Sequence, residues 1–197
     1  MYRLLTAPLM LAFTLALAPA APVPREARGL YFPTAVGARW VYQKDDKEVI
    51  DEVTGVEWTN GTAVVTVCRG GHGEDRDVLW RVAVSEAGLS WVERLKDRLD
   101  PPRCFLRLPA RAGETWEWTG NGHPPHAQTW QVDAHGLERV KVPAGEYTAA
   151  RVDHRRLGVM CMNVYETLWY APKVGPVKSA FNGRSAWVLK SFTPGRE

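Results

Sequence analysis

The stretch Tyr31–Tyr42, YFPTAVGARWVY, sets Pro33, Gly37, Trp40 and Tyr42 at intervals of four, three and two residues. Leu108–Trp118, LPARAGETWEW, repeats the pattern 76 positions later with Pro109, Gly113, Trp116 and Trp118. Each member has a physical part. Proline fixes φ and carries no N–H, so it can precede a strand but not sit inside a ladder. Glycine permits the tight reversal that brings the chain into a sheet. Two aromatics two apart on an extended strand point to the same face. The spacing predicts two copies of one device: a turn feeding a strand whose leading rings face the core, each burying on the order of 150–250 Å².

The surrounding sequence carries strand chemistry almost throughout. VLWRVAV puts Val78, Trp80, Val82 and Val84 on one face and Leu79, Arg81 and Ala83 on the other, a period of two. TAVVTVC is β-branched and follows Asn60-Gly61, the pair that best fits a type I′ hairpin turn. With Thr62 the same residues spell a glycosylation sequon, which we read as the turn. Further strands are predicted at ETWEWTG, QTWQVDA, LERVKV, EYTAARVDHRR, VYETLWY, GPVKSAF and RSAWVLKSF, with turns at PAGE, APKVG and FNGRS. Only Trp91–Pro101 is ambiguous: Trp91, Leu95 and Leu99 have helical spacing before Pro101-Pro102, so a short helix or a strand plus loop both fit.

The expected fold is all-β: a single antiparallel, strongly curved sheet, or an open barrel or sandwich, of two similar halves with at most one short helix. The halves are placed at about 30–106 and 107–192. Residues 1–20 read as a secretory signal peptide, with one Arg, the apolar run Leu4–Leu17 and the small residues Ala18-Pro19-Ala20. Residues 21–29 read as a linker, 30–192 as the single β domain and 193–197 as a tail. The apolar run is short for a membrane span and no second one follows. The expected location is outside the cytoplasm, periplasmic or extracellular, as a monomer.

Charge narrows the partners. Lys and Arg number 25 against 22 Asp and Glu, a net +3, and the signs are interspersed. No basic block follows a phosphate backbone, so no nucleic-acid partner is expected. Cys68, Cys104 and Cys161 are odd in number; if a pair forms, Cys68–Cys104 is favoured because it ties neighbouring segments. Cys161, among apolar neighbours, reads as an inert buried thiol.

The segments YFPTAVGARWVY, LPARAGETWEW, VKVPAGEYTAARV, LWYAPKVGPVKS and WVLKSFTPG occur in that order. Together they resemble a family of exported bacterial β-rich proteins of unknown function, with the pattern P-x3-G-x2-W-x-Y, V-P-A-G-x-[FY] and W-Y-A-P-x-V-G-x-V-K. Pro143, Gly145, Trp169, Pro172 and Gly175 carry its later part. The resemblance implies one antiparallel β domain similar to the curved sheets of periplasmic lipoprotein carriers, and it implies no reaction. Pro176 departs from the pattern and suggests an edge strand.

Candidate chemistry is thin. His123 and His126, with His135 or His154, are the best metal candidates, but two prolines between the first pair favour polyproline II and set their Cα atoms about 9 Å apart. No metal or cofactor is expected. RGGHGED, with His72, reads as a hairpin loop, and no nucleophile elbow, zinc-protease helix or P-loop occurs. The informative excess is nine tryptophans. Trp40, Trp80, Trp116 and Trp118 are assigned to the core. Trp91, Trp130 and Trp187 have polar neighbours and are the candidates for lining a groove. The leading functional reading is a non-enzymatic binding or structural module of the cell envelope that holds an apolar small molecule or a segment of an envelope protein. The alternative is a metal-dependent hydrolase using His123 and His126 with His135 or His154.

Overall fold

The computed structural model describes residues 29–70, 77–121, 127–158 and 165–196. The signal at 1–20, the linker up to residue 28, and His72, His123, His126 and Cys161 lie outside them.

Twelve strands follow one another: β1 Arg39–Lys44, β2 Lys47–Thr59, β3 Thr62–Arg69, β4 Asp77–Ser85, β5 Gly88–Arg94, β6 Asp97–Arg107, β7 Thr115–Asn121, β8 Ala127–Val142, β9 Gly145–Leu157, β10 Tyr165–Ala171, β11 Gly175–Phe181 and β12 Arg184–Thr193. They form one antiparallel sheet in the order β6-β5-β4-β3-β2-β1-β12-β11-β10-β9-β8-β7. It curls into a nearly closed barrel. The described residues contain no helix, hence none long and apolar enough to cross a membrane.

The repeated sequence device is also a repeated backbone device. Gly37 (φ +82°) and Gly113 (φ +84°) both occupy the left-handed region that glycine takes without penalty. Gly37 N–H donates to Val53 O at 2.8 Å and Val53 N–H to Ala38 O at 2.8 Å; Gly113 N–H donates to Ala134 O at 2.9 Å and Ala134 N–H to Glu114 O at 2.8 Å. A bulge follows in each partner strand, between Val53 and Gly55 in β2 and between Ala134 and Gly136 in β8. The leading rings Trp40, Tyr42, Trp116 and Trp118 are all buried, as the spacing predicts.

The two copies meet different neighbours. β1 is laddered to β12 through Arg39–Gln43, whereas β7 faces β6 across the two free edges of the sheet. The sequence of β6 explains why: Pro101 and Pro102 have no N–H to give, and the β5 register skips from Arg103 to Arg98 around them. Side chains stitch this seam instead. Trp116 Nε1 donates to Cys104 O at 3.0 Å and Trp118 Nε1 to Pro101 O at 2.9 Å. Asn121 accepts from Asp100 N–H and donates to Arg98 O. A Cβ on Gly120 would lie 2.9 Å from Asp100 O and 2.4 Å from the Trp118 ring, so only glycine allows so close an approach.

Three expectations are corrected. Trp91–Pro101 is neither a helix nor a strand and loop but a hairpin of β5 and β6, turned at Leu95 and Lys96, both at positive φ. Pro176 lies on β11, an interior strand, where a bulge between Trp169 and Tyr170 absorbs it. Cys68 and Cys104 are free thiols. They stand on β3 and β6 with β4 and β5 between them, roughly 14 Å at ordinary strand spacing and beyond the reach of a disulfide.

Candidate functional site

One end of the barrel is closed by the segment that precedes β1. Tyr31 and Phe32 are buried, Phe32 packs on Trp40 with ring centroids 5.4 Å apart, and Lys173 N–H donates to Leu30 O at 2.8 Å. Arg196 N–H donates to Val36 O at 3.1 Å. From Phe32 an interior cavity of about 260 Å³ extends to the opposite rim, where Lys44, Arg69, Arg94 and Leu95 line it. Its walls are mainly apolar: Val82, Phe105 and Leu168 with Trp80, Trp91 and Trp187.

The aromatic wall is ordered by ring contacts. Trp80 stacks on Trp91 at 6.5 Å and 15°, Trp91 meets Phe105 at 4.9 Å, Phe105 meets Tyr170 at 5.3 Å, and Trp187 meets Tyr42 at 4.5 Å. Burial pushes the Tyr42 and Tyr170 hydroxyls well above their ordinary value. Tyr42 donates its hydroxyl hydrogen to Pro176 O at 2.9 Å. At the rim Arg69 grips buried Asp51 with both prongs, Nε to Oδ1 at 2.8 Å and Nη2 to Oδ2 at 2.9 Å.

Beside this cavity lies a second cleft of about 380 Å³, near the β6–β7 seam, which shares Trp91, Arg94 and Leu95 with it. Its feature is Arg103, only 4% exposed. The guanidinium sits 3.9 Å from the ring centroid of Trp130, 5.1 Å from Trp91 and 5.9 Å from Trp118, an aromatic box that attracts a cation. Across the interior its Nη2 donates to Nδ1 of His154 on β9 at 3.0 Å. No carboxylate of the described residues pairs with Arg103, and its Nε lacks a partner among them. Burial lowers its pKa to about 9, so it stays charged at neutral pH.

Register explains the neighbours. His154 is directly opposite Val132 on β8 and Glu166 on β10, so all three share the inner face. Burial first, then the Arg103 charge, holds His154 well below the ordinary histidine value. The neutral ring accepting at Nδ1 carries its hydrogen on Nε2, which has no partner among the described residues. Glu166 accepts from Ser179 Oγ at 3.3 Å; burial pushes its carboxyl up, against the pull of Arg94 and Arg103.

A separate cluster occupies the outer face. His135 Nε2 is 2.6 Å from Asp153 Oδ2, Tyr165 donates to the same oxygen, and Arg151 lies 3.4 Å away. Burial raises the Asp153 pKa, but the hydrogen bonds of Tyr165 and Thr167 and the charges of Arg151 and His135 outweigh it and leave the carboxyl below its ordinary value. His135 therefore works from outside the barrel and His154 from inside. The two do not converge on one ion, and no three His, Cys, Asp or Glu side chains cluster as metal ligands among the described residues.

No family model matches the sequence, and no curated protein matches it. Two solved structures resemble it in fold. A candidate exported protein with a YmcC-like fold from Bacteroides fragilis NCTC 9343 has 17% identity and a TM-score of 0.50, over 84% of this chain and 99% of that one. A candidate lipoprotein from Parabacteroides distasonis ATCC 8503 has 12% identity and a TM-score of 0.47, over the same shares. The first likeness gives the architecture: this chain has a YmcC-like fold.

Of the three tryptophans singled out in the sequence, Trp187 lines the cavity, Trp130 the cleft and Trp91 both. The later family-pattern residues are architectural. Pro143 and Gly145 flank Ala144, whose N–H donates to Leu189 O. Pro172 follows β10, and Gly175 packs close to the Phe32 ring. Trp169 lies under Arg151 and Lys178 with its indole on Glu138. Arg103 and Glu166 were missed. Their signal was present: Arg103 is two residues before Phe105, and Glu166 two before Leu168, so each shares the inward face of its strand.

Proposed function

We propose that this chain is an exported, non-enzymatic β-barrel module that holds an apolar molecule, or an apolar segment of an envelope protein, in its interior. The observation that carries this reading is the cavity of about 260 Å³ walled by Trp80, Trp91, Phe105 and Trp187 and stopped at one end by Phe32. A largely apolar hollow with a few polar groups at its rim is the ordinary form of a small-molecule site. The leader-like residues 1–20 support export, as does the description of the B. fragilis protein as a candidate exported protein. A location in the periplasm or at the cell envelope is part of this reading.

The test uses N-phenyl-1-naphthylamine, an uncharged apolar fluorophore, titrated into the purified protein. Saturable binding at one site, with tryptophan quenching, is expected. Leu79 is the extra residue of a bulge between Val78 and Trp80, so it lines the cavity beside Trp80 instead of facing away from it. Leu79→Trp should fill that space and abolish binding while leaving the melting temperature within a few degrees. Non-saturable uptake, or equal uptake by the filled variant, would overturn the reading.

A further inference from the structure

We propose that the interior ligand is a monoanionic amphiphile: a carboxylate seated on Arg103 beside His154, with a hydrocarbon tail in the tryptophan-walled cavity. This rests on the binding reading above and adds the chemical class of the ligand.

The first observation is an unpaired charge. Arg103 is 4% exposed, and a buried cation is normally paired with a carboxylate. Here the partners are three indole faces and a neutral imidazole. Glu166 is the candidate counter-ion, yet it makes no ion pair with Arg103 and accepts from Ser179 instead. The guanidinium fork matches a carboxylate in shape.

The second observation is the set of unused donors. Arg103 Nε, His154 Nε2 and Trp80 Nε1 are buried N–H groups without a partner among the described residues. Arg103 lines the cleft and Trp80 the cavity, while His154 touches Arg103. Orphaned buried donors are costly, and Arg103 Nε and His154 Nε2, on two side chains in direct contact, call for an acceptor. Donors without acceptors favour an anion over a cation or a hydrocarbon.

The third observation is charge balance and layout. The cavity and cleft together are lined by Lys44, Arg69, Arg94 and Arg103 against Asp51, Asp97 and Glu166. One positive charge is left over with every carboxylate ionised. One added negative charge is what this interior accommodates. Trp91 belongs to both spaces and is flanked by Arg94 at 5.3 Å and Arg103 at 5.1 Å. A head on Arg103 therefore directs its tail past Trp91 into the apolar cavity.

The experiment compares decanoate with 1-decanol by tryptophan quenching at pH 7.5, in the wild type and in Arg103→Met. Wild type should bind decanoate at least tenfold more tightly than decanol. Arg103→Met should lose the preference for the acid, so that decanoate and decanol bind alike. Arg103→Lys, which keeps the charge but not the fork, should retain part of it. Equal affinity of the wild type for the two would sink the anion assignment and leave the cavity reading standing. Failure of the wild type to bind either would sink both. The wild-type comparison stands alone if a variant does not fold.

Discussion

Arg103 on β6 reaches across the barrel and donates through Nη2 to Nδ1 of His154 on β9, 3.0 Å away. That bond requires a neutral imidazole. The groups facing His154 are Arg103, which disfavours a second positive charge, and Glu166 on β10.

Stability should therefore fall as the solution is acidified through the ordinary histidine value of 6.5. In that window the unfolded chain takes up a proton that the native His154 refuses. Glu166 acts with the opposite sign, because its raised carboxyl binds protons more readily in the native state, so its contribution grows as pH falls. Comparing wild type with His154→Gln isolates the histidine. Urea unfolding at pH 7.5 and 5.5 should show the variant losing about 1 kcal/mol less than the wild type. Equal losses would contradict a neutral buried His154.

The seam depends on side chains where other strand pairs use backbone. Trp116→Phe and Trp118→Phe keep most of the ring but delete the donors to Cys104 O and Pro101 O. Each should cost about 1–2 kcal/mol in denaturant unfolding. Trp58→Phe, at a tryptophan 58% exposed, should stay within about 0.5 kcal/mol.

Gly37 and Gly113 have open space where a Cβ would stand, so alanine there is penalised by backbone conformation alone. Each substitution should destabilise by about 1–2 kcal/mol, and the two costs should be alike because the turns are alike. A large disparity in their melting temperatures would argue against one device used twice.

Asp51 is fully buried and held by both prongs of Arg69. Asp51→Asn should cost about 1–2 kcal/mol by leaving that guanidinium without its charge partner. Asp77→Asn, at the exposed contact with Lys96, should change nothing measurable. Thermal melts of the two variants separate the cases.

Cys68 and Cys104 should remain unlinked under oxidising conditions. Non-reducing peptide mapping should find no crosslinked peptide containing both, and burial, which pushes the Cys104 thiol up, should make it slow towards alkylation at pH 7. Recovery of the 68–104 crosslink would require β3 and β6 to come together.

Much of the architecture is legible because its turns use residues with no substitute. Gly37, Gly113 and Asn60-Gly61 mark reversals that few other residues permit. The β5–β6 hairpin escapes such reading since Leu95 and Lys96 hold positive φ without any glycine, while Trp91, Leu95 and Leu99 happen to match a helical period. QTWQVDA and LERVKV read as two strands because Gly136 looks like a break, whereas it forms the bulge inside the single strand β8. At the site, aromatic content points to Trp91, Trp130 and Trp187, but nothing local announces that Arg103 crosses the interior. That contact spans 51 positions and exists only once the sheet has curled.

The ladder between β1 and β12 has a temporal consequence. Ten of the eleven neighbouring pairs in the sheet join consecutive strands, so those hairpins can form as the polypeptide emerges. The central pair is the exception: β1 is made first and must wait for the last strand before its second flank is satisfied. Biogenesis of this barrel is thus gated by completion of its final segment. A permuted gene, with its new termini placed between Arg107 and Thr115 and the old ones linked, would turn the same sheet into an unbroken meander that assembles in order of synthesis.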